Sequence, residues 1–230
     1  MQGGIRAKIC GLTEPDHVEA ACAGGAAYVG FVFFPKSPRH LGAERARELA
    51  QGVPPGICKV GLIVNAEDAA IDALLSTVPL DMLQLHGSEP PQRVAAVRAR
   101  FGLPVMKAVG IAGTEDLPAL EAHADAADQL LVDAKPPAAA VLPGGNGLSF
   151  DWRLIAARRW SVPWMLAGGL TEATLAEAVA LTGARQVDVS SGVEDAPGRK
   201  SPELIRRFLA ACGATPARSA QPEGALPPRL

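Results

Sequence analysis

Residues 5–34 read IRAKICGLTEPDHVEAACAGGAAYVGFVFF, from Ile5 to Phe34, and this stretch decides the fold. Ile5 to Cys10 and Tyr28 to Phe34 are short, β-rich apolar runs, whereas Glu14 to Ala23 between them has the length and Ala-rich amphipathic composition of a helix. The unit is therefore strand, turn, helix, turn, strand. It recurs near the other end of the chain. Gly11-Leu12-Thr13-Glu14 returns as Gly169-Leu170-Thr171-Glu172, and at the same offset Glu19-Ala20, Gly25-Ala26 and Val29 match Glu177-Ala178, Gly183-Ala184 and Val187. Thr13 and Thr171 are placed to cap helices, and Gly25 and Gly183 to end them with a left-handed residue; coincidence in an Ala-rich chain is the alternative.

The alternation continues between the two copies. Strands are read near 5–10, 28–34, 58–64, 82–86, 104–109, 129–133, 163–167 and 186–190. Helical stretches lie at Glu14 to Ala23, Ala43 to Gln51, Ala66 to Leu75, Pro91 to Arg100, Thr114 to His123, Asp151 to Arg158, Thr171 to Leu181 and Ser201 to Ala211. Parallel strands need crossovers of this kind, and eight βα units are the number that closes. The reading is α/β, a single-domain (βα)8 TIM barrel over residues 1–213, with 214–230 as a disordered tail rich in Pro and Ala; an open doubly wound sheet is the alternative. At 230 residues with 48% apolar content the chain can bury one sizeable core.

Charge and cysteines narrow the partners. Lys and Arg number 22 against 24 Asp and Glu, so a net charge of -2 gives no field for nucleic acid, and any anion must be bound locally. Cys10, Cys22, Cys58 and Cys212 show no C-x-x-C spacing and no neighbouring His cluster, so neither a metal nor a disulfide framework is expected, and the thiols are read as reduced. No apolar run reaches membrane-spanning length and no signal peptide precedes the first strand, which reads as a cytoplasmic protein without a membrane partner.

In a parallel barrel the site gathers at the carboxyl ends of the strands. Cys10 ends the first strand and Asp133 the sixth. A thiol that can take a proton and a carboxyl that can give one suggest paired acid/base chemistry, although singly Cys10 could be a small buried hydrophobe and Asp133 a turn residue. Gly168-Gly169 after strand seven and Ser190-Ser191-Gly192 after strand eight, where a short extra helix can begin, form the two halves of a phosphate site. Arg39 leaves strand two in a Pro-stiffened basic loop, and its guanidinium can hold a planar carboxylate through two parallel hydrogen bonds. His86 and Asp188 also leave strand ends. Sixteen residues, Ala134 to Ser149, follow Asp133 as a Pro/Gly-rich loop; such length suggests a lid, with a disordered insertion as the alternative.

These residues stand in motifs that resemble the phosphoribosylanthranilate isomerase family. The matching pieces are Lys8-Ile9-Cys10-Gly11-Leu12-Thr13, Gly30-Phe31-Val32-Phe33 with Ser37-Pro38-Arg39, Val60-Gly61-Leu62-Ile63-Val64-Asn65 and Leu83-Gln84-Leu85-His86-Gly87. They continue with Leu131-Val132-Asp133, Gly144-Gly145-Asn146-Gly147 with Phe150-Asp151-Trp152, Leu166-Ala167-Gly168-Gly169-Leu170 and Val187-Asp188-Val189-Ser190-Ser191-Gly192-Val193-Glu194. Asn146 departs from the Thr usual there. The resemblance implies a cofactor-free, metal-free Amadori rearrangement in tryptophan biosynthesis by a monomer or homodimer. It implies Asp133 as general acid, Cys10 as general base, Arg39 on the substrate carboxylate, His86 and Asp188 lining the pocket, and Gly168, Gly169, Ser190, Ser191 and Gly192 on the phosphate.

That chemistry carries expectations for both titrating groups. A thiol of ordinary pKa about 8.5 needs a small depression to be partly thiolate at neutral pH, and an Asp of ordinary pKa about 3.9 needs burial or a nearby anion, supplied by the substrate's carboxylate and phosphate or by Asp188, to hold a proton. Rival readings are indoleglycerol-phosphate synthase, kept open by Lys107 at the end of strand five, and a barrel that binds a sugar phosphate without catalysis. The histidine-pathway isomerase of similar chemistry uses two aspartates, which Cys10 argues against.

Overall fold

Each strand of this chain is short, and most are nearly continuous in apolar residues, as expected where helices cover one face and neighbouring strands fill the other. The computed structural model describes residues 4–137, 144–145, 147–156 and 158–215. Eight parallel strands close: β1 (Arg6–Cys10), β2 (Tyr28–Phe33), β3 (Cys58–Ile63), β4 (Met82–Leu85), β5 (Val105–Ile111), β6 (Gln129–Ala134), β7 (Trp164–Leu166) and β8 (Gln186–Val189). β1 pairs with β8 through Arg6↔Gln186 and Lys8↔Asp188, which excludes the open sheet.

Among the described residues seven α-helices pack outside: α1 (Pro15–Ala23), α2 (Ala43–Gln51), α3 (Asp68–Thr77), α4 (Pro91–Phe101), α5 (Leu117–Ala124), α6 (Glu172–Thr182) and α7 (Pro202–Ala214). The eighth expected helix, Asp151 to Arg158, is not one. Among the described residues of that stretch only Trp152–Ile155 winds, as a 3-10 turn begun by the Asp151 carboxylate accepting from Arg153 N at 3.0 Å. Trp152 and Ile155, three residues apart, are both buried, so one 3-10 turn covers this side of the barrel. A two-stranded hairpin not foreseen from sequence, β9 (Glu194–Ala196) with β10 (Arg199–Lys200), sits between β8 and α7.

The internal echo maps onto β1-α1-β2 and β7-α6-β8. Gly25 and Gly183 are left-handed, at φ +83° and +73°. Thr171 caps α6 by accepting from Thr174 N, whereas Thr13 caps nothing: α1 begins after Glu14 with Pro15, whose missing N–H is one donor fewer to satisfy. Ala214 closes α7, so the expected domain end at 213 falls inside a helix, and of the expected tail only Ala214 and Thr215 are described.

The strand period of two decides which side chains meet the site. On β1, Ala7 and Ile9 face the helices and join the large apolar core, while Lys8 and Cys10 face the barrel axis. Tyr28, Val60, Met82, Met106, Ala108, Leu131, Met165 and Ala167 plug the interior, and the polar strand ends stand above this plug.

Candidate active site

An open-mouthed cavity lies over the carboxyl ends of the strands. Cys10, Arg39, His86, Asp133, Asp188, Gly168, Gly169, Ser190, Ser191 and Gly192 all line it, so every sequence-identified site residue meets in one place. Val32, Phe34, Leu62 and Val64 form an apolar wall beside Cys10. This wall, suited to a flat aromatic ring, was not singled out from sequence, because apolar strand ends look like core.

Cys10 is buried at the top of β1, and below it on the same face is Lys8, fully enclosed, with its ammonium 2.9 Å from Asp188 Oδ1. Burial pushes the Cys10 thiol up from its ordinary range; Lys8 and Lys200 act to lower it and Asp188 to raise it. The expected depression is thus corrected: low polarity around the sulfur outweighs the two cations. Burial alone would lower the Lys8 ammonium, but Asp188 and Cys10 raise it overall, so Lys8 stays charged. Asp188, expected to lend Asp133 a negative neighbour, is paired with Lys8.

Asp133 is the last but one residue of β6, with its carboxyl facing the cavity. Its Oδ1 accepts from Ala134 N at 2.8 Å, and Oδ2 lies 3.4 Å from His86 Nε2. Gln84, below His86 on the same face of β4, holds His86 Nδ1 at 2.8 Å. The described part of the long loop rests on this pair: a Cβ on Gly144 would stand 2.5 Å from His86 Nε2 and 3.0 Å from Asp133 Oδ2. Only a residue without a side chain fits so close. The rest of the expected lid, 138–143 and 146, lies outside the described residues, as does the Asn146 departure.

Arg39 is buried and already engaged. Its Nε and Nη2 grip Glu194 at 2.6 and 2.8 Å, and Nη2 also donates to Gly145 O at 3.1 Å. One forked edge of the guanidinium therefore holds protein, leaving Nη1 as the donor without a partner among the described residues. Glu194 in turn binds Lys200 at 2.6 Å, and Lys200 donates to Ser190 O at 2.9 Å and Ser190 Oγ at 3.1 Å. Although burial works against its charge, Arg39 and Lys200 bring the Glu194 carboxyl down to about 2. Burial brings the Lys200 ammonium down to about 8 against the pull of Glu194. Ser190 Oγ donates to Cys10 O at 3.2 Å, so β1 and the turn after β8 are tied together.

Gly168 and Gly169 turn with φ +84° and +66°, a region that disfavours side chains, and bring backbone to the same cavity that Ser190-Ser191-Gly192 line. The short extra helix is a single 3-10 turn, Ser191–Val193. Two glycine- and serine-bearing turns facing one cavity suit the oxygens of a phosphate.

Lys107 gives the synthase reading no support. Its ammonium is buried against Glu89 Oε2 at 2.7 Å and Gly87 O at 2.6 Å, and it does not line the cavity. Among the described residues no group of three or more His, Cys, Asp or Glu side chains is placed to hold a metal. Sequence reading missed Lys8, Gln84, Glu194 and Lys200. The available signal was a polar residue inside an apolar strand two positions before a candidate, as Lys8 precedes Cys10 and Gln84 precedes His86.

The chain is similar to characterised proteins over most of its length. Residues 7–211 match the family model described as N-(5'phosphoribosyl)anthranilate (PRA) isomerase. Proteins named N-(5'-phosphoribosyl)anthranilate isomerase from Cereibacter sphaeroides (strain ATCC 17029 / ATH 2.4.9) and Paracoccus denitrificans (strain Pd 1222) are 65% and 62% identical over 206 residues. Each match covers 90% of this chain, and 97% and 96% of the respective relative. The crystal structure of phosphoribosyl anthranilate isomerase from Thermotoga maritima superposes with a TM-score of 0.82 at 34% identity, covering 91% of this chain and 99% of that one. A structure of such an isomerase in complex with reduced 1-(o-carboxyphenylamino)-1-deoxyribulose 5-phosphate superposes at 0.78 and 33% identity, with the same coverage of both chains.

Proposed function

Since the chain belongs to the N-(5'-phosphoribosyl)anthranilate isomerase family of tryptophan biosynthesis, we propose that Cys10 and Asp133 are its acid/base pair and that the cavity between them takes the aminoaldose phosphate. Asp133 gives its proton to the furanose ring oxygen as the C1–O bond breaks, and the anilino nitrogen supplies the electron pair that makes an iminium at C1. Cys10 then removes the proton from C2, the C2–H electrons form the C1=C2 bond, and the C1=N π pair returns to nitrogen, leaving an enolamine. Ketonisation at C2 with protonation at C1 gives 1-(2-carboxyphenylamino)-1-deoxyribulose 5-phosphate. Oxidation at C2 and reduction at C1 balance within one molecule.

The geometry supports each role. A single observation carries the reading: one cavity holds a strand-end thiol, a strand-end carboxyl, an arginine and two glycine/serine turns. The raised thiol is compatible with catalysis because the iminium both acidifies the adjacent C–H and brings positive charge beside the sulfur. The apolar wall of Val32, Phe34, Leu62 and Val64 receives the anthranilate ring, and Arg39 Nη1 its carboxylate, one donor rather than the full fork. Gly168, Gly169, Ser190, Ser191 and Gly192 receive the phosphate, while His86 and Asp188 line the pocket. The same reading has the protein act in the cytoplasm, as a monomer or homodimer; among the described residues no helix is long and apolar enough to cross a membrane.

Freshly made phosphoribosylanthranilate, followed by the loss of its anthranilate fluorescence, tests this function. Enzyme-dependent loss above the spontaneous rate is the expected result, and loss no faster than in buffer overturns it.

A further inference from the structure

Lys8 is a full charge inside the barrel, with none of its surface exposed to solvent. A buried ammonium is costly unless its three donors are met, and Asp188 Oδ1 at 2.9 Å takes one of them. Cys10 occupies the next inward position on β1, directly above. The neighbouring strand makes room for both groups: Gly30 of β2 is in register with Cys10, and a Cβ on it would stand 3.1 Å from Cys10 Sγ and 3.2 Å from Lys8 Cε. The sulfur and the end of the lysine stem therefore converge on one small space that a glycine leaves open.

The other walls of that space give the sulfur little help. Val32, Phe34, Leu62 and Val64 are apolar. The charged groups that face Cys10 are Lys8 from its own strand, Asp188 from β8 and Lys200 from β10, and the Arg39 stem packs on Gly11 next along the chain. Lys200 is tied to Glu194, so Lys8 is the cation best placed to respond.

We infer that Lys8 is a positioning residue for the base: its ammonium, held by Asp188, is the counter-charge that lets Cys10 become a thiolate. The inference rests on Cys10 being the base for its mechanistic value, but not for its test. One ion pair then acts on the sulfur with two opposite signs. Loss of Lys8 makes the thiolate harder to form, and loss of the Asp188 charge makes it easier.

The test is the pH dependence of Cys10 alkylation by iodoacetamide, small enough to enter the open cavity. It is quantified on the Cys10 peptide by mass spectrometry so that Cys22, Cys58 and Cys212 do not contribute. Lys8→Met should move the midpoint up by at least about one pH unit, Asp188→Asn should move it down, and Lys8→Arg should keep it near the parent value. A purely structural role for the pair would shift both variants in the same direction or neither. Such a result, in proteins that still unfold cooperatively, overturns the inference. If Lys8→Met does not fold, Lys8→Gln decides in its place, and an unchanged or lowered midpoint overturns it. kcat/KM against pH on the same proteins separates the two readings. Alkylation that shifts while the kcat/KM profile does not follow upholds Lys8 and removes Cys10 as the base.

Discussion

Arg39 has two duties on one guanidinium, so its removal has two consequences. Arg39→Met leaves Glu194 buried with Lys200 as its remaining cation, and breaking a buried pair from one side costs about 3–5 kcal/mol. Urea denaturation reads that loss, and the shared partner Lys200 puts it toward the lower end. Substrate binding weakens as well, by roughly 1.5–3 kcal/mol for one charge-assisted hydrogen bond. Inhibition by inorganic phosphate should also weaken, because Arg39 reaches Ser190 through Glu194 and Lys200. Unchanged phosphate inhibition would break that link. Glu194 supplies a pH signature. Its folded value of about 2 lies below its ordinary 4.5, so its stabilisation is complete above about pH 4.5 and disappears as pH falls toward 2. Urea midpoints between pH 2 and 6 should fall more steeply for the parent chain than for Glu194→Gln; equal slopes would show that Glu194 does not set the acid limb.

Among the elements, the loop after β6 carries the sharpest test, because Gly144 lies against both His86 and Asp133. Gly144→Ala should leave the barrel folded, by an unchanged thermal midpoint, yet lower kcat several-fold, since the added methyl must lift the loop or push His86 from Asp133. Unchanged kcat would place this loop outside the catalytic cycle. The strands were legible because each is a short apolar run bounded by turn residues, and closure followed from their number. The 151–158 stretch was misread since its composition is helical, but its two buried side chains, Trp152 and Ile155, need only one turn. Glu194 to Lys200 gave no strand signal: a hairpin of three and two residues is held by the buried Glu194–Lys200 contact, which is tertiary, not periodic.

For the whole molecule, strand-end position in a closed barrel was enough to gather the candidate residues, because closure brings all eight carboxyl ends to one mouth. The partners of the charges beneath that mouth were not legible. Lys8, Glu194 and Lys200 are defined by partners 180, 155 and 10 residues away, at Asp188, Arg39 and Ser190, and no local pattern encodes such pairings. The direction of the Cys10 shift was missed for the same reason, as it depends on the polarity of walls contributed by several strands. The central claim is that one thiol and one carboxyl move the protons. It is tested most directly by kcat and KM of Cys10→Ser and Asp133→Asn on phosphoribosylanthranilate, with folding checked by thermal unfolding. Each variant should lose at least about 10²-fold in kcat with KM close to the parent value. A folded variant that keeps kcat and shows only a raised KM would contradict the acid/base pair.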